Sequence, residues 1–249
     1  MSEAASARRV ALIPGGAKGI GRAVGLSLAA DGWAVAACYR TSEEAGRETE
    51  AALREHAPDS FVTRCDVSDP KACEALVERT QAELGRVDAL INAAGPYVRR
   101  PILEETVEGW HAMLDGNLHP VFYLSQLVAP LMREQEFGRI VNFSMAGADR
   151  MLAQPQLTGH YVAKSALLIL TRTYAKALGP FGVTVNALSP GFIDSGSAPS
   201  EELERMVKHI PAGYIGELKD AVSAVRFLLS EDARYVNGAN LQLSGGWGV

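Results

Sequence analysis

The chain has 249 residues, 47% of them hydrophobic and 21% charged, and carries a formal net charge of −5. These values exclude a disordered chain and a basic nucleic-acid binder, and they predict a globular protein with a large core. No apolar run approaches the roughly 18 residues of a membrane span, and Cys38, Cys65 and Cys73 lack the spacing of a metal site or a disulfide framework.

In chain order, Met1 to Arg9 is a short polar tail without the apolar stretch of a signal peptide. With the sparse cysteines, this predicts a cytoplasmic protein. Short apolar runs rich in Val, Ile and Ala follow near 9–14, 34–39, 60–65, 87–93, 138–144, 182–188 and 239–243. They read as strands buried on both faces. Segments with helical spacing separate them, over 19–31, 43–56, 69–85, 106–134, 160–178, 200–209 and 217–229. Asp69-Pro70 marks one helix start and Thr106 another. Repeated β–α units imply a parallel sheet with helices on both faces. No linker or internal repeat interrupts them. The expectation is one doubly wound α/β domain over 1–249, a Rossmann fold of about seven strands, with ligands at the carboxyl ends of the strands.

The first strand runs into Pro14-Gly15-Gly16-Ala17-Lys18-Gly19-Ile20-Gly21. A strand, a glycine turn and a helix start make a cradle for a dinucleotide pyrophosphate. Glycine lets the main chain approach closely, and the helix end offers unpaired N–H groups. The second strand ends in Tyr39-Arg40-Thr41-Ser42, where an NAD site places an acid for the ribose hydroxyls. Arg40, with Lys18 in the glycine turn, instead suits the 2′-phosphate of NADP(H). Asp66, after the third strand, suits the adenine amino group or a helix cap. His56, His111, His119 and His209 have no metal spacing, and no metal is expected.

Beyond these features the chain resembles the short-chain dehydrogenase/reductase family, above all its ketoacyl-carrier-protein reductase-like members, over nearly its whole length. The matching motifs are Gly15 to Gly21, Asn92-Ala93-Ala94-Gly95, Asn117, Gly138 to Ser144, Asn186 to Gly191, Gly238 to Leu241 and Gly245-Gly246-Trp247. The resemblance implies that Gly15, Lys18, Gly19, Ile20, Gly21, Arg40 and Thr41 hold the phosphates. Asp66, Val67, Asn92, Ala93 and Gly95 would line the adenosine side, and Pro190, Gly191 and Ile193 the carboxamide. Lys164 would hold the nicotinamide ribose, with Asn117 supporting it. A substrate lid is expected over about 194–215. The partners implied are a small organic substrate and further copies of the chain, as a homotetramer built on the helices over 106–134 and 160–178 and on the C-terminal strand.

The chain departs from the family at the chemistry. Family reductases use serine, tyrosine and lysine, with the lysine four residues after the tyrosine. Here the run is His160-Tyr161-Val162-Ala163-Lys164. His160 therefore stands in the tyrosine's place, and Tyr161 lies three residues before Lys164. Met145 takes the serine's slot beside Ser144, and the following loop is about two residues longer than the family spacing. Pro14 and Ala93 replace a threonine and an asparagine.

Three readings follow. A change of helix register brings Tyr161 to the site, helped by Ser144 or Asp149. Alternatively, His160 is the acid. Or the reaction, reduction of an iminium or an activated C=C, needs neither. The expected function is NADP(H)-dependent reduction of a carbonyl, imine or activated C=C. The alternative is an NADP-binding protein of this fold that has lost reductase activity.

Overall fold

The computed structural model describes residues 8–195 and 200–249, and the side chains from 204 onward within the second of these stretches. The elements run β1 (Val10–Pro14), α1 (Gly19–Ala30), β2 (Ala34–Tyr39), α2 (Glu43–Arg54), β3 (Phe61–Arg64), α3 (Pro70–Leu84) and β4 (Ala89–Asn92). After them come α4 (Val107–Asn117), α5 (His119–Glu134), β5 (Gly138–Phe143), α6 (Thr158–Leu178) and β6 (Val183–Pro190). The chain closes with β7 (Ile193–Asp194), α7 (Ser200–Val207), β8 (Gly216–Glu217), α8 (Leu218–Leu229) and β9 (Asn240–Leu243). Among the described residues, no helix is long and apolar enough to cross a membrane.

Seven strands form one parallel sheet in the order β3-β2-β1-β4-β5-β6-β9. This is the doubly wound arrangement expected from the sequence. Successive strand residues face opposite layers. Ala11, Ile13, Val35 and Ile91 pack with Val24, Leu28 and Leu53 of α1 and α2 and with Val225 and Leu228 of α8. Leu12, Ala36, Leu90 and Ile140 face the other way, against Leu76 of α3, Leu124 and Val128 of α5 and Leu178 of α6. Both faces are buried, and each such aliphatic side chain contributes roughly 1.5–3 kcal/mol.

Two differences from the sequence expectation matter. The helix expected over 106–134 is two helices broken at Leu118. Pro120 has no N–H to continue the α4 ladder, so it opens α5 instead. A two-stranded β7-β8 pair also closes off the segment after β6. The expected lid over 194–215 falls partly outside the described residues.

The helix caps bear out their sequence signals. Thr106 Oγ1 accepts from Gly109 N at 3.0 Å, and Asp69 Oδ1 accepts from Lys71 N at 2.9 Å. Strand order reverses between β1 and β4, and a crevice lies at the carboxyl ends of these strands.

Candidate active site

The crevice measures about 1740 Å³. Its floor is the turn between β1 and α1. Gly15 takes φ +77°, and a Cβ there would stand 2.8 Å from the Ala94 backbone. A Cβ on Gly21 would stand 2.6 Å from the Gly15 carbonyl. Only glycine permits this close approach of turn, helix and β4. Helix α1 then begins with no side chain capping its first N–H groups and no acid in its first turn. Those donors are open to an anion. A Cβ on Gly19 would meet nothing nearer than 4.0 Å, so the helix start faces open space. Lys18, Arg22, Arg40 and Thr41 line the same end. This donor set fits a dinucleotide phosphate.

Further along, Asp66, Val67, Ala93, Gly95, Pro190, Gly191 and Ile193 line the walls. Asp66 Oδ1 accepts from Ser68 N at 3.1 Å and Ser68 Oγ at 2.7 Å. Those bonds hold its carboxyl below the usual range, and Arg40 adds to the effect. Asn92 does not line the crevice. It is buried in the sheet, and its Nδ2 donates to Asn142 Oδ1 at 2.8 Å.

At the other end α6 presents two faces with separate jobs. His160 and Lys164, one turn apart, line the crevice. Tyr161 and Ser165, also one turn apart, hold the preceding loop. Tyr161 Oη donates to Gly147 O at 2.7 Å and accepts from Leu152 N at 3.0 Å. Ser165 Oγ donates to Ala148 O at 2.7 Å. Tyr161 is thus buried beside the loop, away from the crevice wall. The register change that would bring it to the site is not what the chain adopts.

The other expected helpers are also engaged. Ser144 Oγ donates to Lys164 O at 2.8 Å. Asp149 accepts from Asn240 and Gln242, tying the loop to β9. Met145 packs against Ala148, Leu168 and Ala187 while touching the crevice.

Lys164 Nζ donates to Phe143 O at 2.7 Å. Full burial lowers its pKa to about 8. Asn117 lies beneath the crevice wall, with Nδ2 donating to Pro96 O and Met113 O, both at 3.0 Å. Its Oδ1 is buried without a hydrogen-bond partner among the described residues. A Cβ on Gly95 would stand 2.4 Å from that oxygen and 3.4 Å from Lys164 Nζ. Gly95, Asn117 and Lys164 therefore converge at one point.

His160 Nδ1 lies 3.1 Å from Pro96 O. A carbonyl only accepts, so Nδ1 carries the proton and Nε2 is the acceptor. Burial lowers the His160 pKa to about 4; the Lys164 charge adds to this, against a small opposing effect of the Pro96 bond. The imidazole is neutral near neutrality.

The sequence reasoning missed Tyr97, Arg99 and Arg150, which also line the crevice. Tyr97 was within reach. It stands two residues past the Asn92-to-Gly95 motif, in the loop after β4.

A family model described as enoyl-(acyl carrier protein) reductase matches residues 15–248. The chain belongs to this family, a branch of the short-chain dehydrogenases/reductases. It is an oxidoreductase of a group that works with nicotinamide dinucleotides. Among its relatives is the 3-oxoacyl-[acyl-carrier-protein] reductase FabG of Staphylococcus aureus. That protein is 33% identical over 240 residues, covering 95% of this chain and 96% of its own. Two solved structures are similar. Levodione reductase has a TM-score of 0.87 at 33% identity, over 96% of both chains. A short chain dehydrogenase from Bacillus anthracis has a TM-score of 0.88 at 27% identity, over 97% of both.

Proposed function

We propose that this chain is an NADP(H)-dependent oxidoreductase that reduces a carbonyl, an imine or an activated C=C of a small organic molecule. One observation supports this most. A single crevice carries Lys18 and Arg40 beside the uncapped start of α1 at one end, and His160 and Lys164 at the other. The bound dinucleotide would supply the hydride.

The chain's own residues do the rest. Main-chain N–H groups of Gly19, Ile20 and Gly21 take the pyrophosphate. Lys18, Arg40 and Thr41 take the 2′-phosphate, the guanidinium through its forked donors. Asp66 and Val67 border the adenine, and Ala93 and Gly95 the ribose beside it. Pro190, Gly191 and Ile193 border the carboxamide. Lys164 holds the nicotinamide ribose, and Asn117 Oδ1 steadies its ammonium through a water. His160 stands where the family's tyrosine acts. As a neutral imidazole it accepts a hydrogen bond at Nε2 and orients the substrate. The unpaired buried thiols Cys38, Cys65 and Cys73 suit a reducing cytoplasm. The exposed apolar residues Phe122 on α5 and Val162 and Ile169 on α6 suit assembly as a homotetramer.

The family names favour carbonyl or enoyl substrates. FabG is named for a 3-oxoacyl thioester and levodione reductase for a ketone substrate.

A second reading has its own support. With Tyr161 bonded to the loop and Met145 in the serine slot, the crevice would bind NADP(H) and perform no reduction.

Calorimetry with NADPH and NADH, together with turnover of a panel of ketones, imines and enones, separates these readings. NADPH is expected to bind the more tightly, and Arg40→Asp to weaken it by about 10–100-fold, the loss of one charge-assisted phosphate contact. NADH binding tighter than NADPH would overturn the cofactor assignment. Tight NADPH binding with no turnover would favour the second reading.

A further inference from the structure

We propose that Tyr97 is the proton donor to the substrate, a phenol carried by the loop after β4 in place of one on α6. This role rests on the reductase reading above and completes it.

A carbonyl or a neutral imine that takes a hydride at carbon must take a proton at its heteroatom. The side chains expected to give it are engaged elsewhere. Tyr161 Oη donates to Gly147 O, and Ser144 Oγ to Lys164 O. Met145 has no proton to give. His160 holds its Nδ1 proton against Pro96 O and is neutral above about pH 4. Arg99 and Arg150 line the crevice, but a guanidinium does not release a proton. Asp115 pairs with His119 at 2.8 Å. Lys164 is left, with its ammonium bonded to Phe143 O, and so is Tyr97.

Tyr97 has the right place. Its ring stands edge-on to the His160 imidazole, with centroids 5.1 Å apart and planes at 84°. Since His160 occupies the family tyrosine's position, a phenol packed against it reaches the same region. The root of its loop is fixed, because the Pro96 carbonyl accepts from both His160 Nδ1 and Asn117 Nδ2. Tyr97 is 57% exposed, so its phenolate can regain a proton directly from water.

The step balances. The hydride adds to the substrate carbon, and the C=O or C=N electron pair moves to the heteroatom. The Tyr97 Oη–H bond breaks as the new O–H or N–H bond forms. The phenolate then takes a proton from solvent. His160 from α6 packs against it, and the other charged and titratable groups lining that part of the crevice are Lys164 from α6, Asp115 from α4, Arg150 from the loop after β5, and Arg99 on its own loop.

The test uses the full chain and Tyr97→Phe, with steady-state reduction of ketones and imines by NADPH. The variant is expected to lose at least about 100-fold in kcat, the ordinary worth of a positioned acid. Its KM and its NADPH affinity by calorimetry should stay close to those of the parent. Fluorotyrosine at position 97 supplies a fluorine probe on the same phenol. Its fluorine NMR resonance should shift when cyclohexanone is added to the NADP⁺ complex.

A Tyr97→Phe variant that keeps kcat, or loses only in KM, overturns the role and leaves the reductase reading standing. An unmoved resonance, with a parent that reduces cyclohexanone, also overturns it. A parent protein that fails to bind NADPH, or binds it and reduces nothing, overturns both.

Discussion

The Tyr161 hydroxyl donates to the Gly147 carbonyl at 2.7 Å. Gly147 is held from the other side as well. Its φ is +75°, and a Cβ there would stand 2.9 Å from the Gly248 carbonyl. Ser165 Oγ on Ala148 O, Asp149 on Asn240 and Gln242, and Arg150 on Val249 O complete the clamp. A tyrosine that looks catalytic by its neighbourhood thus fastens the loop beside the crevice.

Tyr161→Phe therefore acts on stability first. It removes one donor–acceptor hydroxyl from a buried pair of bonds, worth about 1–2 kcal/mol. In a protein of this size that lowers Tm by roughly 2–8 °C. Reduction of a ketone or imine should continue near the parent rate. Calorimetric melting and steady-state kinetics check both. A variant with unchanged Tm and no turnover would return the phenol to the chemistry.

His160 makes stability depend on acid. Its pKa falls to about 4 in the folded chain, from an ordinary 6.5. Between those values the unfolded chain binds the proton and the folded chain does not. Folding is then weakened progressively as pH drops from 6.5 towards 4, and is unaffected by this group above 6.5. The full effect is on the order of 3 kcal/mol. His160→Asn keeps a donor for Pro96 O without titrating, and should flatten the stability curve over that window. Urea unfolding at several pH values reads this. A parent curve already flat between pH 4 and 6.5 would contradict the buried neutral imidazole.

Lys164 is held at a cost. It is fully buried, and its pKa is lowered to about 8 from 10.5. Below pH 8 the charge is retained against burial, and the penalty is relieved as pH rises from 8 to 10.5. Lys164→Met should gain stability at pH 7, by up to about 3 kcal/mol, while NADPH affinity and turnover fall. Thermal melting and calorimetry at pH 7 check this together. A variant less stable than the parent would mean that the bond to Phe143 O outweighs the burial of the charge.

The layered fold was legible because its strands carry runs of Val, Ile and Ala long enough to be buried on both faces. The glycine turn was legible because Gly15 and Gly21 are demanded by main-chain approaches that no other residue permits. The break at Leu118 escaped notice, although Pro120 announces it by the missing N–H. Asn92 was placed on the crevice because its motif is, yet alternation along β4 turns its amide towards Asn142. Tyr97 follows closely on the Asn92-to-Gly95 motif, but nothing periodic marks a loop residue, and its packing against His160 sets it apart from its neighbours.

The amino-acid order by itself determined the sheet, the glycine turn into α1, and the basic pair Lys18 and Arg40 beside it. These depend on local spacing and on residue type. Which of two adjacent side chains faces the crevice was decided only in three dimensions. Neighbours on a helix diverge by roughly 100°, so His160 and Tyr161 cannot share a wall. The loop packed over one face of α6 takes Tyr161 and Ser165 for itself, and the crevice receives His160 and Lys164.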